Sequence, residues 1–198
     1  YELHLNWLGD ISGKKVLDLG CYEGNSLSVY MAQNAKEYVA IDLSENAIAR
    51  LRRRLDTLPK AKAISGDFLS PDFTDCDFDL IYAYGVLHHF ENTEQLISKL
   101  KQKLKPEGEI ISYDPLATSL PVKIVRKIYR PFQSDKEWEW PFSKKVYNNY
   151  AKEFTVLDRR AVLGKTKWLI FINLLPISIR RKEAIGKKWH SEDWLLSH

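Results

Sequence analysis

"LDLGCYEGNS", Leu17 to Ser26, is the stretch whose reading decides the fold. An apolar run carries Asp18, the chain turns through Gly20 and Gly24, and a helix-like pattern resumes at Ser26. Strand, glycine turn and helix in that order open a nucleotide-binding βαβ unit. A dinucleotide site needs G-x-G-x-x-G there. Its second glycine lets the backbone approach a pyrophosphate, and its third allows close helix packing. Here Tyr22 stands at the second position and no glycine stands at the third. A side chain at position 22 crowds a pyrophosphate, which disfavours NAD and FAD. Walker-type ATP binding fails for want of G-K-[ST].

Working outward, residues 16–19 read as a strand and 26–34 as a helix with Leu27 and Met31 four apart. Residues 38–41 form a second strand that ends at Asp42. Ser44 is the expected N-cap of a helix carrying Ile48, Leu51, Leu55 and Leu58. Arg50, Arg52, Arg53 and Arg54 fall mostly on the solvent side of that helix, and a nucleic-acid patch is the competing reading. Residues 61–64 and 78–84 are strands three and four. Residues 91–104 form a helix that "KPEG" breaks, and 109–113 form strand five, ending at Asp114 and Pro115. This alternation predicts an α/β, doubly wound, parallel sheet with helices on both faces. Ligands of such sheets bind beyond the carboxyl ends of the strands, where strand order reverses. Asp18, Asp42, Asp67, Tyr84 and Asp114 all fall on that edge. The bland alternative is that these aspartates only cap helices and turns.

A nucleoside cofactor without phosphates tolerates this loop. S-adenosylmethionine has an amino-acid end, a ribose and an adenine. Gly20, Cys21, Tyr22 and Gly24, with the Asp18 carboxylate, can meet the amino-acid end. Asp42, next to Leu43, can accept both ribose hydroxyls. Asp67 and Phe68 can meet the adenine amino group and ring face.

The 198 residues suit one domain; a formal net charge of +4 is too mild to argue for nucleic acid. Two cysteines, Cys21 and Cys76, suggest neither a disulfide framework nor a metal site, and a reducing, cytoplasmic setting is expected. Residues 1–10 lack the basic start and long apolar run of a secretory leader.

"VLDLGCYEG", "YVAIDLS", "ISGDFL", "FDLIYAYGVLHHF" and "LKPEGEIISYDP" resemble, in order and spacing, the class I SAM-dependent methyltransferases. The resemblance covers about residues 16–115. It implies a Rossmann-like, three-layer, seven-stranded sheet with an antiparallel last strand. It also implies methyl transfer, with S-adenosylhomocysteine as product. Tyr22 departs from the family's glycine.

Methyl transfer is an in-line displacement that needs a positioned acceptor and, where required, removal of a proton. His88 or His89 can be that base, since histidine titrates near neutral pH. A structural role for both is the alternative, and the resemblance favours it for His89. The absence of [DN]-P-P-[YF] argues against methylation of nucleic-acid bases and for a small-molecule acceptor. Residues 116–150 resemble a substrate-covering insertion after strand five. There Tyr84, Asp114, Arg130, Trp138 and Trp140 are the candidate acceptor contacts, or the aromatics simply pack the cover down.

Residues 151–175 are expected to hold the last two strands, at 154–162 and 168–175, before a basic amphipathic tail at 176–198. A second reading competes for "KWLIFINLLPISIRRK": a surface-seeking segment that makes weak contact with a membrane. The run is too short to span a bilayer.

Overall fold

The computed structural model describes residues 1–116, 128, 138–161 and 164–197. These fall into two compact units, Tyr1–Glu153 and Phe154–His198.

The first unit is built on five strands: β1 (Lys15–Leu19), β2 (Glu37–Asp42), β3 (Ala61–Ser65), β4 (Phe78–Tyr84) and β5 (Leu104–Tyr113). They pair in the order β3-β2-β1-β4-β5, and every pairing is parallel. The central strands are almost wholly buried, with Val16, Leu17, Val39, Ala40, Leu80 and Ile81 inaccessible. That is why they read as unbroken apolar runs: parallel strands covered on both faces have no solvent side.

The crossovers are helical. In α2 (Ser26–Asn34) the Asn25 Oδ1 accepts the Leu27 and Ser28 N–H groups, while Ser28 Oγ accepts the Asn25 N–H, a reciprocal capping box. In α3 (Glu45–Leu55) the expected cap holds, with Ser44 Oγ accepting the Ala47 N–H, and Ile48, Leu51 and Leu55 are buried. In α4 (Thr93–Lys103) Asn92 caps through the Gln95 N–H, and Leu96, Ile97 and Leu100 face the sheet. In this unit the helices α1 (Glu2–Leu8) and α5 (Lys144–Glu153) were not anticipated.

Strand order reverses at β1, so the crevice between the carboxyl ends of β1 and β4 is the switch point. β5 begins five residues earlier than expected, and "KPEG" lies inside it as an irregularity. Phe78 pairs with Leu104, but Leu80 already pairs with Glu109. The Lys105 ammonium, 2.7 Å from Asp79, holds the extra residues beside β4.

The last two strands are corrected. The described residues contain five strands, all parallel, and neither a sixth nor an antiparallel seventh. Residues 154–161 are irregular, tied to the chain's end by the Ala161 N–H on the Ser197 carbonyl (2.8 Å) and by Arg160 on Ser197 Oγ. The apolar run at 168–175 is a 3-10 turn (Thr166–Trp168) followed by a short helix, α6 (Leu169–Leu174). A continuous apolar run reads equally well as strand or helix, and here a cap decides. Asp193, on α7 (Ile179–Leu195), accepts the Lys165 and Thr166 N–H groups at 2.6 and 2.8 Å and so starts the helical turn. At the other end, the Lys182 ammonium reaches the Asn173 carbonyl (2.8 Å). The basic tail is thus one long helix that clamps α6 at both ends.

Candidate functional site

At the switch point a cavity of about 200 Å³ is lined by Asp18, Gly20, Cys21, Tyr22, Gly24, Asn25 and Tyr84. Five of the residues expected to hold the cofactor's amino-acid end are therefore together, and Tyr84 joins them from β4.

The loop is a tight turn. The Gly20 N–H donates to the Ile41 carbonyl (2.9 Å) and the Gly24 N–H to the Cys21 carbonyl (2.8 Å). Gly20 has φ +68°, and a Cβ there would sit 2.3 Å from Val86 Cγ2. Gly24 has φ +77°, and its Cβ would sit 2.7 Å from Leu51 Cδ1. Between them Tyr22 also adopts a left-handed backbone, φ +49°. This costs a residue with a side chain about 1–2 kcal/mol, which is the physical reason glycine suits the position. The compensation is visible: the Tyr22 N–H donates to Asp42 Oδ2 (2.9 Å). The ring points outward, 56% exposed, with the Arg50 guanidinium 5.9 Å from its centroid.

Asp42 works twice. Its Oδ2 holds the loop through Tyr22, and its Oδ1 accepts the Ser44 N–H (2.8 Å) at the start of α3. Each carboxylate oxygen has a second lone pair, so capacity for two hydroxyl donors remains. Leu43 beside it is 76% exposed, an apolar surface next to a polar one.

Asp18 is buried, and its Oδ2 accepts the Tyr38 hydroxyl (2.7 Å). Burial pushes its carboxyl up to about 6; hydrogen bonds from Tyr38 and Ser28 oppose the shift, and the Asp42 charge adds to it. Among the described residues no cation pairs with it. A buried carboxylate lining a cavity and lacking a counter-charge suits a ligand ammonium. The Tyr38 hydroxyl is pushed well above its ordinary value by burial and by the neighbouring Asp18. The Cys21 thiol is likewise pushed up, mainly by burial, so it lines the cavity as an uncharged group.

Asp67 lies on the β3–β4 connection, where its Oδ1 accepts the Leu69 N–H (2.8 Å). Phe68 is buried, 5.7 Å from Phe73 and 6.4 Å from Phe90 between ring centroids, so it supports this loop from beneath.

The histidines divide. His88 is buried, and one oxygen of Asp114 accepts both its peptide N–H (3.1 Å) and its ring Nδ1–H (2.9 Å). A carboxylate only accepts, so Nδ1 carries the proton and Nε2 is the basic nitrogen. The second Asp114 oxygen is buried without a partner among the described residues. Asp114 is therefore engaged with His88 at the end of β5. His89 is exposed, and its Nδ1 lies 2.7 Å from the Trp138 carbonyl. Trp138 itself is 68% exposed, and the Trp140 N–H donates to the His88 carbonyl (2.7 Å). Residues 138–140 are thus pinned to the His88–His89 turn. Arg130 lies outside the described residues.

Several contributors were not foreseen. The arginine run does not simply face water: Arg54 Nη1 donates to the Glu23 and Gly24 carbonyls, both at 2.7 Å, and Arg52 donates to the Ala63 carbonyl. Arg50 pairs with Glu23. Three arginines of α3 thereby brace the glycine loop and β3; their i, i+4 spacing (Arg50, Arg54) was the available signal. α1 supplies His4, whose Nδ1 lies 2.9 Å from the Tyr82 hydroxyl and whose ring is 5.8 Å from Tyr84. Tyr84 in turn stacks on Tyr113 at 5.0 Å and 12°. No group of three or more metal-ligating side chains occurs among the described residues.

Comparison with known proteins bears on the fold and the family. A methyltransferase domain family matches residues 17–112. The 24-methylenesterol C-methyltransferase 2 of Oryza sativa subsp. japonica is 29% identical over 111 residues, 54% of this chain and 31% of that protein. The ubiquinone biosynthesis O-methyltransferase of Azoarcus sp. (strain BH72) is 34% identical over 113 residues, 54% of this chain and 48% of that protein. The chain thus spans between about a third and a half of the length of these curated relatives. The crystal structure of the N-methyltransferase NodS from Bradyrhizobium japonicum WM9, in complex with S-adenosyl-L-homocysteine, has the same fold. It aligns with a TM-score of 0.61 at 19% identity, covering 82% of this chain and 79% of that one.

Proposed function

We propose that the chain, whose residues 17–112 match a methyltransferase domain family, binds S-adenosylmethionine at the β1–β4 crevice and transfers its methyl group to an oxygen of a small-molecule acceptor. The observation that carries this reading is the pair of carboxylates beside the Gly20–Gly24 loop. Asp18 is buried without a counter-charge, and Asp42 is anchored yet still able to accept hydroxyls. When bound, the cofactor supplies an electrophilic methyl group on a sulfonium. Asp18 receives the ammonium, the Gly20–Gly24 backbone surrounds the amino-acid end, and Asp42 takes the ribose hydroxyls beside Leu43. The lack of a [DN]-P-P-[YF] motif supports a small molecule over a nucleic-acid base; the relatives include both a C-methylating and an O-methylating enzyme, and the base offered by His88 favours a hydroxyl acceptor.

Titration calorimetry with S-adenosylhomocysteine and with NAD tests the cofactor. Binding of the first alone is expected; binding of NAD without S-adenosylhomocysteine overturns the reading.

Proton removal is assigned to His88: Asp114 holds its Nδ1–H, which in the neutral ring leaves Nε2 as the nitrogen able to accept a proton. Replacing it, His88→Gln, should lower turnover at least tenfold, at the low end of what a positioned base contributes, while leaving S-adenosylhomocysteine affinity within twofold. Undiminished turnover at every pH would end that role.

Asp18 sets a pH dependence. Its folded carboxyl titrates near 6, against an ordinary 3.8. Below 3.8 the folded and unfolded chains are both protonated there, and no cost arises. Between 3.8 and 6 the folded chain holds a proton that the unfolded chain has released, so stability declines as pH rises through this window. Above 6 the full cost, on the order of 3 kcal/mol, is present. A ligand ammonium pairs with the ionised form. S-adenosylhomocysteine affinity should therefore be flat above pH 6 and weaken below it by up to about tenfold per unit, since each unit is 1.36 kcal/mol. Calorimetry across that range on the wild type and on Asp18→Asn, which should lose the dependence, is the check. A flat wild-type profile removes Asp18 from the ammonium site.

A further inference from the structure

The basic excess of this chain is not spread over it. Residues 154–198 carry nine Lys or Arg and four Asp or Glu, a formal +5; residues 1–153 carry 21 and 22, a formal −1. The same C-terminal unit exposes large aliphatic and aromatic side chains at Val156, Leu157, Trp194, Leu195 and Leu196 and, between two pairs of basic residues, along 171–179. Phe171 is 55% exposed, Leu174 77% and Ile179 74%. Phe171 and Leu174 are three apart on α6 and share its side. Lys165 and Lys167 precede this stretch; Arg180 and Arg181, both exposed, follow it at once. Among the described residues neither of these two arginines has an acidic partner. The segment is not a frayed end, because Asp193 holds the start of α6 and Lys182 its finish.

We propose that this unit docks the protein on an anionic bilayer surface, with Phe171, Leu174 and Ile179 entering the headgroup region and Arg180 and Arg181 meeting lipid phosphates. An apolar centre flanked by basic residues is what an interfacial segment requires. A spanning segment is not the reading, since no helix among the described residues is long and apolar enough to cross a membrane. A nucleic acid would use the arginines but has no use for exposed Leu174 and Ile179. A second copy would cover the apolar residues only by setting one +5 surface against another. A bilayer with acidic headgroups satisfies both sets of side chains. The inference is independent of the proposed methyl transfer, because it uses no residue of the β1–β4 crevice.

The test is co-sedimentation of the full chain with vesicles of phosphatidylcholine alone or with added phosphatidylglycerol, at low and at high salt. Binding to the phosphatidylglycerol vesicles at low salt is expected, with loss at high salt and little binding to phosphatidylcholine. The double variant Arg180→Glu/Arg181→Glu should bind at least about twentyfold more weakly, given roughly fivefold for each basic residue lost near an anionic surface. Leu174→Ser should bind severalfold more weakly. Calorimetry with S-adenosylhomocysteine on the same variants, with affinity unchanged, shows that each is folded and keeps the two proposals separate. The proposal is overturned if no vesicle binding occurs at low salt. It is equally overturned if charge reversal has no effect, or if equilibrium sedimentation without vesicles finds a dimer that Leu174→Ser dissociates.

Discussion

Asp42→Ala should weaken S-adenosylhomocysteine by about 100-fold or more, measured by titration calorimetry. Two hydrogen bonds from ribose hydroxyls to a carboxylate are lost, each contributing about 1.5–3 kcal/mol, and 1.4 kcal/mol is a factor of ten. The second consequence belongs to this chain in particular. Asp42 Oδ2 is what holds the left-handed Tyr22 N–H, and Oδ1 holds the Ser44 N–H. Removing the side chain frees both donors, so the loop loses the bond that offsets its backbone strain. Asp42→Asn separates the two effects. Its amide oxygen can keep one of those N–H groups while the charge is gone, so its loss should be intermediate. Tyr22→Gly is the complementary variant. It relieves the left-handed cost but adds unfolded-state entropy of similar size, so stability should change by less than about 1 kcal/mol. Unchanged affinity in Asp42→Ala removes Asp42 from the ribose position.

Gly20→Ala should destabilise the fold by roughly 2–5 kcal/mol, read as a fall in the denaturant midpoint. The left-handed backbone contributes about 1–2 kcal/mol and overpacking about 1–3 kcal/mol. The clash is not with the free end of a flexible chain. The new Cβ would meet Val86 Cγ2 at 2.3 Å and Val86 Cβ at 2.6 Å, and Val86 begins the turn that carries His88. Relief therefore has to move the backbone between β4 and the histidine turn. Against a typical total stability of about 5–15 kcal/mol, this is a large fraction. Gly66→Ala is the control, since a Cβ there meets nothing within 4 Å and the backbone is not left-handed. Equal midpoints for the two variants would show that the close approach of Gly20 to Val86 does not exist in solution.

The expectations that held are the ones local chemistry controls. The central strands read correctly because an apolar run bounded by glycine, aspartate or asparagine has few alternatives when helices lie between the runs. Ser44 was legible as a cap for the same reason. The expected aspartates divided according to what surrounds them: Asp18 and Asp42 reached the cavity or its rim, whereas Asp114 turned to His88. Nothing in the spacing of 26 residues between His88 and Asp114 announces that pairing. It follows from β5 running parallel to β4, which brings the ends of both strands level.

The C-terminal unit went differently. Its run of Trp, Leu, Ile and Phe reads as a last strand, but a short apolar run without a clear period is equally compatible with a helix. The Asp193 carboxylate, 27 residues beyond Thr166, settles it by capping the start of the turn. The arginines of α3 are a similar case. Helical periodicity puts them on the polar side, but only the packing of α3 beside the glycine loop gives Arg54 two carbonyls to hold.

What the amino-acid sequence determined by itself is therefore the parallel α/β core and its switch-point edge, because both depend on residue type and short-range order. What only the tertiary structure decided is which polar groups meet. Asp42 holds Tyr22, Arg54 braces the loop, Asp114 fixes the His88 tautomer and Asp193 converts an apolar run into a helix. These bonds join residues 20 or more apart, and their partners are chosen by how the elements pack, which no local pattern records.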